Sequence, residues 1–251
     1  MSPPTTYFAL NPDLDPAALA ETFARDGQVS VDSFLTSASA NALTAYLNGR
    51  NDWIEVLNAG EKAYEIPQQR LPELDSATQA QLDRSVNEAA RHGFQYRYHA
   101  IRTDDDPAMR QQSGTLLDAF AEFMCSAPVI SFFRDVTGLL AIDFADAQAT
   151  AYGPGHFLTC HDDAVAGKNR HAAYVLSLTE GWRPEWGGLL MFHGENGEIS
   201  RVLTPTFNSL RVFAVPAPHS VSYVAPFAGT QRISVTGWLR NGGSAYQSSG
   251  S

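Results

Sequence analysis

Cysteine is scarce in this chain, which has two, Cys125 and Cys160, among 251 residues. Two cysteines this far apart form neither a disulfide framework nor a cysteine-rich zinc site. The sequence also lacks a secretory apolar segment near its start and any run of about eighteen apolar residues. We therefore expect a cytoplasmic protein that has no membrane partner.

Positive charge is also in short supply, with 17 Lys and Arg against 27 Asp and Glu and a formal net charge of -10. A broad nucleic-acid surface needs clustered Lys and Arg to neutralise phosphates. The balance therefore argues against direct nucleic-acid binding, although it leaves room for a small basic pocket that holds an anionic ligand.

The chain is rich in residue patterns typical of regular secondary structure, with helical patterns in the first half and strand-like patterns in the second. No Pro/Gly/Ser linker divides it, so we predict one domain over residues 1–240, with helical support to about 140, a β core over about 141–240 and a flexible tail at 241–251. Predicted helices cover about 15–25, 37–47, 75–90, 116–125 and 128–139, and short strands are expected near 29–31 and 94–101.

After Ile142 the chain becomes a series of short strand-like runs broken by glycine turns. The predicted strands are about 144–152, 156–160, 172–178, 189–192, 209–215, 220–224 and 232–239. Many short strands with regular turns are typical of a sandwich or barrel. Helices before strands favour an α+β protein in which helices pack on one face of the β core.

The first candidate for chemistry is His161-Asp162-Asp163, a histidine and a carboxylate two residues apart. Both can bind one metal only if the backbone bends there, because residues i and i+2 of a flat strand lie about 6–7 Å apart. We therefore expect the strand 156–160 to run into a turn at this point. Alone, such a motif is more often a solvated turn.

A metal site becomes more plausible with His219, which follows Pro216-Ala217-Pro218 and starts a strand-like run. Two histidines and one carboxylate on one side of a metal leave coordination positions open, as non-haem Fe(II) oxygenases require. A structural zinc site would instead be closed by a fourth protein ligand. The three residues are our candidate metal ligands.

The run from Arg232 to Leu239 places a guanidinium, two hydroxyls and an indole on one face of a strand and ordinary packing residues on the other. A buried Arg needs an anionic partner, and a ligand carboxylate matches its planar fork. If residues 225–230 form a hairpin, Arg232 lies near Tyr223, roughly 13 Å from His219 along the strand at ~3.3 Å per residue. The competing interpretation is an ion pair between Arg232 and a core Asp or Glu.

Five ordered segments together carry a family resemblance: 152–163, 173–178, 182–192, His219, and 232–238. They resemble Fe(II)/2-oxoglutarate-dependent oxygenases of the prolyl-hydroxylase type, and most of all the Tpa1/Ofd1 group (catalytic domain only). Eukaryotic members of that group hydroxylate a proline of a small-subunit ribosomal protein. The resemblance covers about 140–240 closely and the helical half in general layout.

The resemblance implies a double-stranded β-helix (jelly-roll, cupin-like) core packed against N-terminal helices. It implies Fe(II) held by His161, Asp163 and His219, with 2-oxoglutarate and O₂ as co-substrates and ascorbate as a candidate reductant. Arg232 would bind the distal carboxylate of 2-oxoglutarate, and the other residues expected around the co-substrate are Tyr152, Thr236 and Ser177. Ser177 stands where the family often has a tyrosine.

Candidate substrate-pocket residues are Trp238, Tyr174 and Trp186, although strand parity directs Tyr174 to the opposite face. Trp186 has a competing role as a cap on the core. The expected activity is hydroxylation of a prolyl residue in a protein or peptide substrate. Two alternatives stay open: hydroxylation of a free amino acid or small molecule, and a non-catalytic jelly-roll that only binds a metal or ligand.

Overall fold

A computed structural model describes residues 7–59 and 62–242. Most of the predicted tail, 243–251, lies outside these residues. Within the described part, the α-helices are Pro16–Asp26 (α1), Ser37–Asn48 (α2), Ser76–Ala90 (α3), Pro107–Ser113 (α4), Leu116–Met124 (α5) and Ala127–Thr137 (α6). Short 3₁₀ turns occur at Gln68–Glu73, Pro184–Trp186 and Glu195–Gly197.

Thirteen described strands form one antiparallel sheet. They are Gln28–Val31 (β1), Ile54–Ala59 (β2), Lys62–Pro67 (β3), Tyr96–Arg102 (β4), Phe144–Ala145 (β5), Gln148–Tyr152 (β6), Phe157–His161 (β7), Arg170–Ser177 (β8), Leu190–His193 (β9), Ile199–Leu203 (β10), Ser209–Ala214 (β11), His219–Val221 (β12) and Arg232–Arg240 (β13). The main strand order is β1-β11-β8-β13-β6-β4-β7-β12-β9-β10, with β2, β3 and β5 paired off this path.

Local capping explains why the helices begin where they do. The Asp15 side chain accepts hydrogen bonds from the backbone N–H groups of Ala17 and Ala18, with Pro16 in the first turn. Thr115 and Asp118 form a reciprocal capping box at the start of α5. The helices predicted at 15–25, 37–47, 75–90, 116–125 and 128–139 are all present within two residues of their expected ends.

The sheet curls so that its two halves face each other. An apolar cluster joins Ala173 of β8 and Phe213 of β11 to Leu190 and Phe192 of β9, with Trp238 of β13 packed against them. Strand β4 connects the halves because it pairs with β6 along one part and with β7 along another. This arrangement is the expected jelly-roll, and the space between the inner faces of the β6-β13-β8 and β7-β12-β9 strands is called the cavity here.

The helices cover the outer face of the β8-β13-β6 half. Ile233, Val235 and Leu239 of β13 belong to the same buried cluster as Phe120 of α5 and Phe133 of α6. The alternate residues of β13, from Arg232 to Trp238, face the cavity instead, as strand parity predicts. The α+β class with helices packed on a jelly-roll core is therefore confirmed.

In the described residues, no single helix has the length and apolar character needed to cross a membrane, and only α5 and α6 taken together, bent by 52°, pass such a test. Both helices contribute many side chains to the buried core.

Some predicted strand boundaries and pairings are wrong. The strand predicted over 144–152 is broken into β5 and β6. The predicted hairpin over 225–230 does not join neighbouring strands, since β12 pairs with β7 and β9 whereas β13 pairs with β8, β6 and β5. Arg232 consequently lies opposite Tyr152 and not beside Tyr223.

At Gly237, β13 lies very close to the backbone of Asp146, which precedes β6. A Cβ at this position would overlap the carbonyl oxygen of Asp146 and lie 2.7 Å from the Tyr174 ring. We expect Gly237→Ala to lower the free energy of unfolding by about 2–3 kcal/mol in a urea titration, the usual scale of overpacking.

Gly93→Ala is the matched control, because a Cβ there meets nothing within 4 Å. We expect it to change the free energy of unfolding by no more than about 0.5 kcal/mol. Equal stability of the two variants would contradict the close approach described at Gly237.

Candidate metal centre and co-substrate pocket

His161 and His219 are brought together by strand pairing. His161 ends β7 and lies directly opposite His219, the first residue of β12. The register then shifts, so that Val221 lies opposite Leu158 and β7 contains one extra residue. Such a bulge re-aims side chains, and it allows Leu158 and His161 to face the same cavity although they are three residues apart.

Asp163 completes the group because the backbone bends where the sequence required it. Its φ of 64° is in the left-handed region, which Asp tolerates better than most residues. The carboxylate turns back, with Oδ1 3.5 Å from Nε2 of His161 and Oδ2 3.5 Å from Nε2 of His219. One ligand atom from each residue lies within 4.8 Å of the other two.

Hydrogen bonds fix both imidazoles in the form that a metal needs. Nδ1 of His161 lies 3.0 Å from the carbonyl oxygen of Thr159, and Nδ1 of His219 lies 2.8 Å from that of Ala217. A carbonyl only accepts, so each Nδ1 carries the proton and each Nε2 presents a lone pair toward Asp163.

Charge supports the same protonation states. Burial, followed by the neighbouring His161, lowers the pKa of His219, so this imidazole is neutral at neutral pH. Two imidazoles with free Nε2 atoms and one carboxylate, with no fourth protein ligand among the described residues, fit an Fe(II) oxygenase site better than a closed zinc site.

Arg170, which sequence reasoning missed, holds Asp163 in place. Its Nη1 donates to the backbone carbonyl of Asp163 at 3.0 Å, and its guanidinium carbon lies 3.4 Å from the centroid of a Trp238 ring. Trp238 therefore supports the turn that carries a metal ligand. The sequence offered no signal for Arg170, because its stacking partner is distant in the chain and only the fold brings them together.

Arg232 lies at the other end of the cavity. It is 3% exposed, and its guanidinium carbon is 5.3 Å from the ring centroid of Tyr152. Its Nε is buried without a hydrogen-bond partner, and no Asp or Glu among the described residues pairs with it. The competing interpretation of Arg232 as half of a core ion pair is therefore wrong. Since an unpaired buried cation is costly, the site is built for an anionic ligand.

The wall beside Arg232 is formed by aromatic side chains and by the backbone at Gly188, which lies close to the Arg232 side chain. Gly188 has a φ of +62°, and a Cβ there would lie 3.4 Å from Cδ of Arg232 and 3.2 Å from the Trp182 ring. The Trp182 indole N–H donates to the carbonyl of Gly187 at 2.9 Å. The apolar cluster at this end consists of Tyr152, Trp182, Val221 and Val224, with Tyr98, Leu158, Trp186 and Ala228 against it.

Tyr152 links the two ends. Burial raises the pKa of Tyr152, and the charges of Arg232 and Asp163 both act on its phenol. The hydroxyl stays protonated at neutral pH and can donate a hydrogen bond. Tyr152 lies against Arg232 and also packs with Val221, on the strand that begins at His219, so the metal ligands and the buried guanidinium face the same cavity.

Three other residues predicted for the co-substrate or substrate pocket lie near this cavity but make different contacts. Ser177 is buried and lies opposite Ser234, on the cavity face of β8. Thr236 is on the same face of β13 as Arg232, but its hydroxyl donates to the carbonyl of Gln148 at 3.5 Å. Trp186 packs edge-on against Trp182 with ring centroids 5.2 Å apart.

Tyr174 is not a substrate-pocket residue, and that prediction is corrected. Its ring packs against Phe133 of the helical layer, with centroids 6.1 Å apart, and its hydroxyl donates to the carbonyl of Asp146 at 2.7 Å. The physical reason is strand parity, since Tyr174 pairs with Gly237 on the helix-facing side of β8 and β13.

Parts of this chain are similar to known proteins. Residues 147–240 match the family model of the 2OG-Fe(II) oxygenase superfamily. The chain is 34% identical over 115 residues to prolyl 3-hydroxylase OGFOD1 of Xenopus laevis, an alignment that covers 43% of this chain and 22% of that protein. It is 29% identical over 111 residues to prolyl 3-hydroxylase sudestada1 of Drosophila melanogaster, covering 40% and 20%. The chain thus spans about a fifth of the length of these relatives.

Solved structures share the fold. A Pseudomonas putida prolyl-4-hydroxylase superposes with a TM-score of 0.55 at 22% identity, over 90% of this chain and 98% of that one. A Trichoplax adhaerens prolyl hydroxylase in complex with a hypoxia inducible factor peptide gives 0.55 at 17% identity, over 90% and 89%. The resemblance to prolyl-hydroxylase-type oxygenases is confirmed, while a specific place in the Tpa1/Ofd1 group stays a prediction.

His161→Ala should remove metal binding without unfolding the chain. We expect the affinity for Fe(II), or for Co(II) as a spectroscopic substitute, to fall by more than the ~10–100-fold typical of an outer-shell change. His92→Ala is the control, because that side chain is 76% exposed. Unchanged metal binding in His161→Ala, with far-UV circular dichroism like that of the parent, would contradict the site.

Arg170→Ala should weaken the metal centre indirectly. Loss of the hydrogen bond to the Asp163 carbonyl frees the turn, so we expect about 10-fold weaker Co(II) binding and a changed Co(II) absorption spectrum. Arg170→Lys should fall between the parent and the alanine variant, since it keeps a charge but loses the planar stack. Arg183→Ala, at a side chain that is 65% exposed, should match the parent.

Proposed function

We propose that this chain, whose residues 147–240 match the 2OG-Fe(II) oxygenase superfamily, is an Fe(II)- and 2-oxoglutarate-dependent dioxygenase that hydroxylates a prolyl residue in a protein. The observation that carries the proposal is one cavity with three metal-ligand side chains at one end and a buried, unpaired Arg232 at the other. A metal-binding module without turnover has no need for the second feature.

Each residue of the site has a role in this proposal. His161, Asp163 and His219 would hold Fe(II) through two Nε2 atoms and a carboxylate, leaving positions for co-substrate and O₂. Bound Fe(II), 2-oxoglutarate and O₂ supply the oxidation, in which decarboxylation to succinate and CO₂ is coupled to hydroxylation of a C–H bond. The protein itself needs no general base for this chemistry.

The chain's own contribution is binding, orientation and exclusion of water. Arg232 offers a charge-assisted fork for a distal carboxylate, and the Tyr152 hydroxyl lies where it can donate to the same ligand. Trp182, Val221 and Val224 make the surroundings apolar. In such surroundings the attraction between a guanidinium and a carboxylate is stronger than in water.

The choice of a prolyl substrate is supported by the relatives, two of which are prolyl 3-hydroxylases. Protein rather than free proline is favoured because one structurally similar prolyl hydroxylase was solved with a peptide bound. A ribosomal protein is the substrate class that the sequence resemblance implies. We place the reaction in the cytoplasm, where two free cysteines such as Cys125 and Cys160 stay reduced.

The deciding experiment combines two measurements. Purified protein with Fe(II), 2-oxoglutarate and O₂ should form succinate, and a strain lacking the protein should lose a +16 Da modification on a proline of some cellular protein. Absence of succinate formation under all these conditions would leave only a binding module. Succinate formation that is stimulated by free amino acids and not by peptides would point to a small-molecule hydroxylase.

Arg232→Ala should raise the 2-oxoglutarate KM by about 10- to 100-fold, the scale of a lost hydrogen bond to a charged group, with metal affinity retained. Arg91→Ala, at a side chain that is 72% exposed, is the control and should leave the KM unchanged. An unaltered 2-oxoglutarate KM in the Arg232 variant would exclude this residue as the carboxylate-binding group.

A further inference from the structure

Three aromatic side chains form a continuous series on one face of β4 and the residues before it. We call Phe94, Tyr96 and Tyr98 the aromatic ladder. Ring centroids are 5.6 Å apart between Phe94 and Tyr96 and 5.8 Å apart between Tyr96 and Tyr98. They lie on one side because successive side chains of a strand alternate between faces.

The opposite face of β4 already carries the structural contacts. There Arg97 forms ion pairs with Glu55 of β2 and Asp83 of α3, and the His99 ring packs against His156 with centroids 4.7 Å apart. The ladder face is more open at its outer end, since Phe94 is 49% exposed and the rings of Tyr96 and Tyr98 are partly exposed. A contiguous aromatic surface of this kind is typical of an interaction site.

The ladder leads directly to the metal centre. The Phe94 ring lies 5.6 Å from the ring of the metal-ligand candidate His161. At the inner end, Tyr98 stacks on Tyr152 with centroids 5.2 Å apart and an interplanar angle of 22°. Tyr152 is buried beside Arg232, so the ladder ends inside the protein at Tyr98, and its other end, at Phe94, is open to solvent.

We propose that the aromatic ladder is the docking surface for an extended, proline-containing segment of the protein substrate, with the rings of the ladder contacting residues that flank the target proline. This inference rests on the proposed function. Proline rings pack well on aromatic faces, and a polyproline II segment is ordered before it binds.

Charge favours an internal peptide segment over a free amino acid. The ladder has no charged side chain, and burial raises the pKa of Tyr96 and of Tyr98, so both phenols stay neutral. Arg102 and Glu65, the charged groups acting on Tyr96, are paired with each other at 2.7 Å. Besides this pair, the charged group that acts on the ladder is Asp163, a candidate metal ligand that acts on Tyr98. The outer rings, Phe94 and Tyr96, therefore present aromatic faces to a substrate and no charged partner for the ammonium or carboxylate of a lone proline.

The test is a titration of the full chain with an acetylated, amidated oligoproline, followed by NMR, with and without Fe(II) and 2-oxoglutarate under anaerobic conditions. We expect the parent protein to bind it, and Phe94→Ala and Tyr96→Ala each to weaken binding by about fivefold, as loss of one aromatic contact predicts. Tyr96→Phe keeps the ring and should bind nearly as the parent does. Metal affinity should be unchanged in the two Tyr96 variants.

Tyr7→Ala is the matched control, because Tyr7 is 56% exposed and its neighbour Phe8 packs on the helical layer. It should bind oligoproline as the parent does, and a glycine-serine peptide of equal length should not bind. No binding of oligoproline to the parent, equal binding by the alanine variants, or equally tight binding of free L-proline would each overturn the inference. Oligoproline binding without succinate formation would instead overturn the proposed function and leave the ladder standing.

Discussion

The pairing of β7 with β12 is the contact on which the site depends. It places His161 opposite His219, and the bulge in β7 lets His161 face the same cavity as Leu158. The left-handed turn at Asp163 then returns a carboxylate between them, and Arg170 holds that turn through its carbonyl. No one of these features makes a metal centre alone, because a displacement of one residue in the pairing would send a ligand to the other face of the sheet.

Much of this was accessible from the sequence because it depends on local rules. Helix caps such as Asp15 mark where helices begin, and strand parity assigned Arg232 to the cavity and Ile233 to the core. The need for a bent backbone at Asp163 followed from the spacing of its ligand pair.

Non-local pairing was beyond local rules. In a jelly-roll, strands that follow one another along the chain often lie in different halves of the sheet, so the hairpin assumed between β12 and β13 was wrong. Strand β2 was missed because four of its six residues are buried in succession, which removes the alternation that marks a strand. Arg170 was missed because its value lies in a stack on Trp238 that only the folded chain creates.

Strand β4 is hydrogen-bonded both to β6, which carries Tyr152, and to β7, which carries His161. The end of the cavity near Arg232 and the end with the metal ligands are thus connected through hydrogen-bonded strands. The distance between them is set by the geometry of the sheet and not by flexible loops. This distance selects for the length of the dicarboxylate that binds between them. Dicarboxylates one methylene shorter or longer than 2-oxoglutarate would match this fixed span less well.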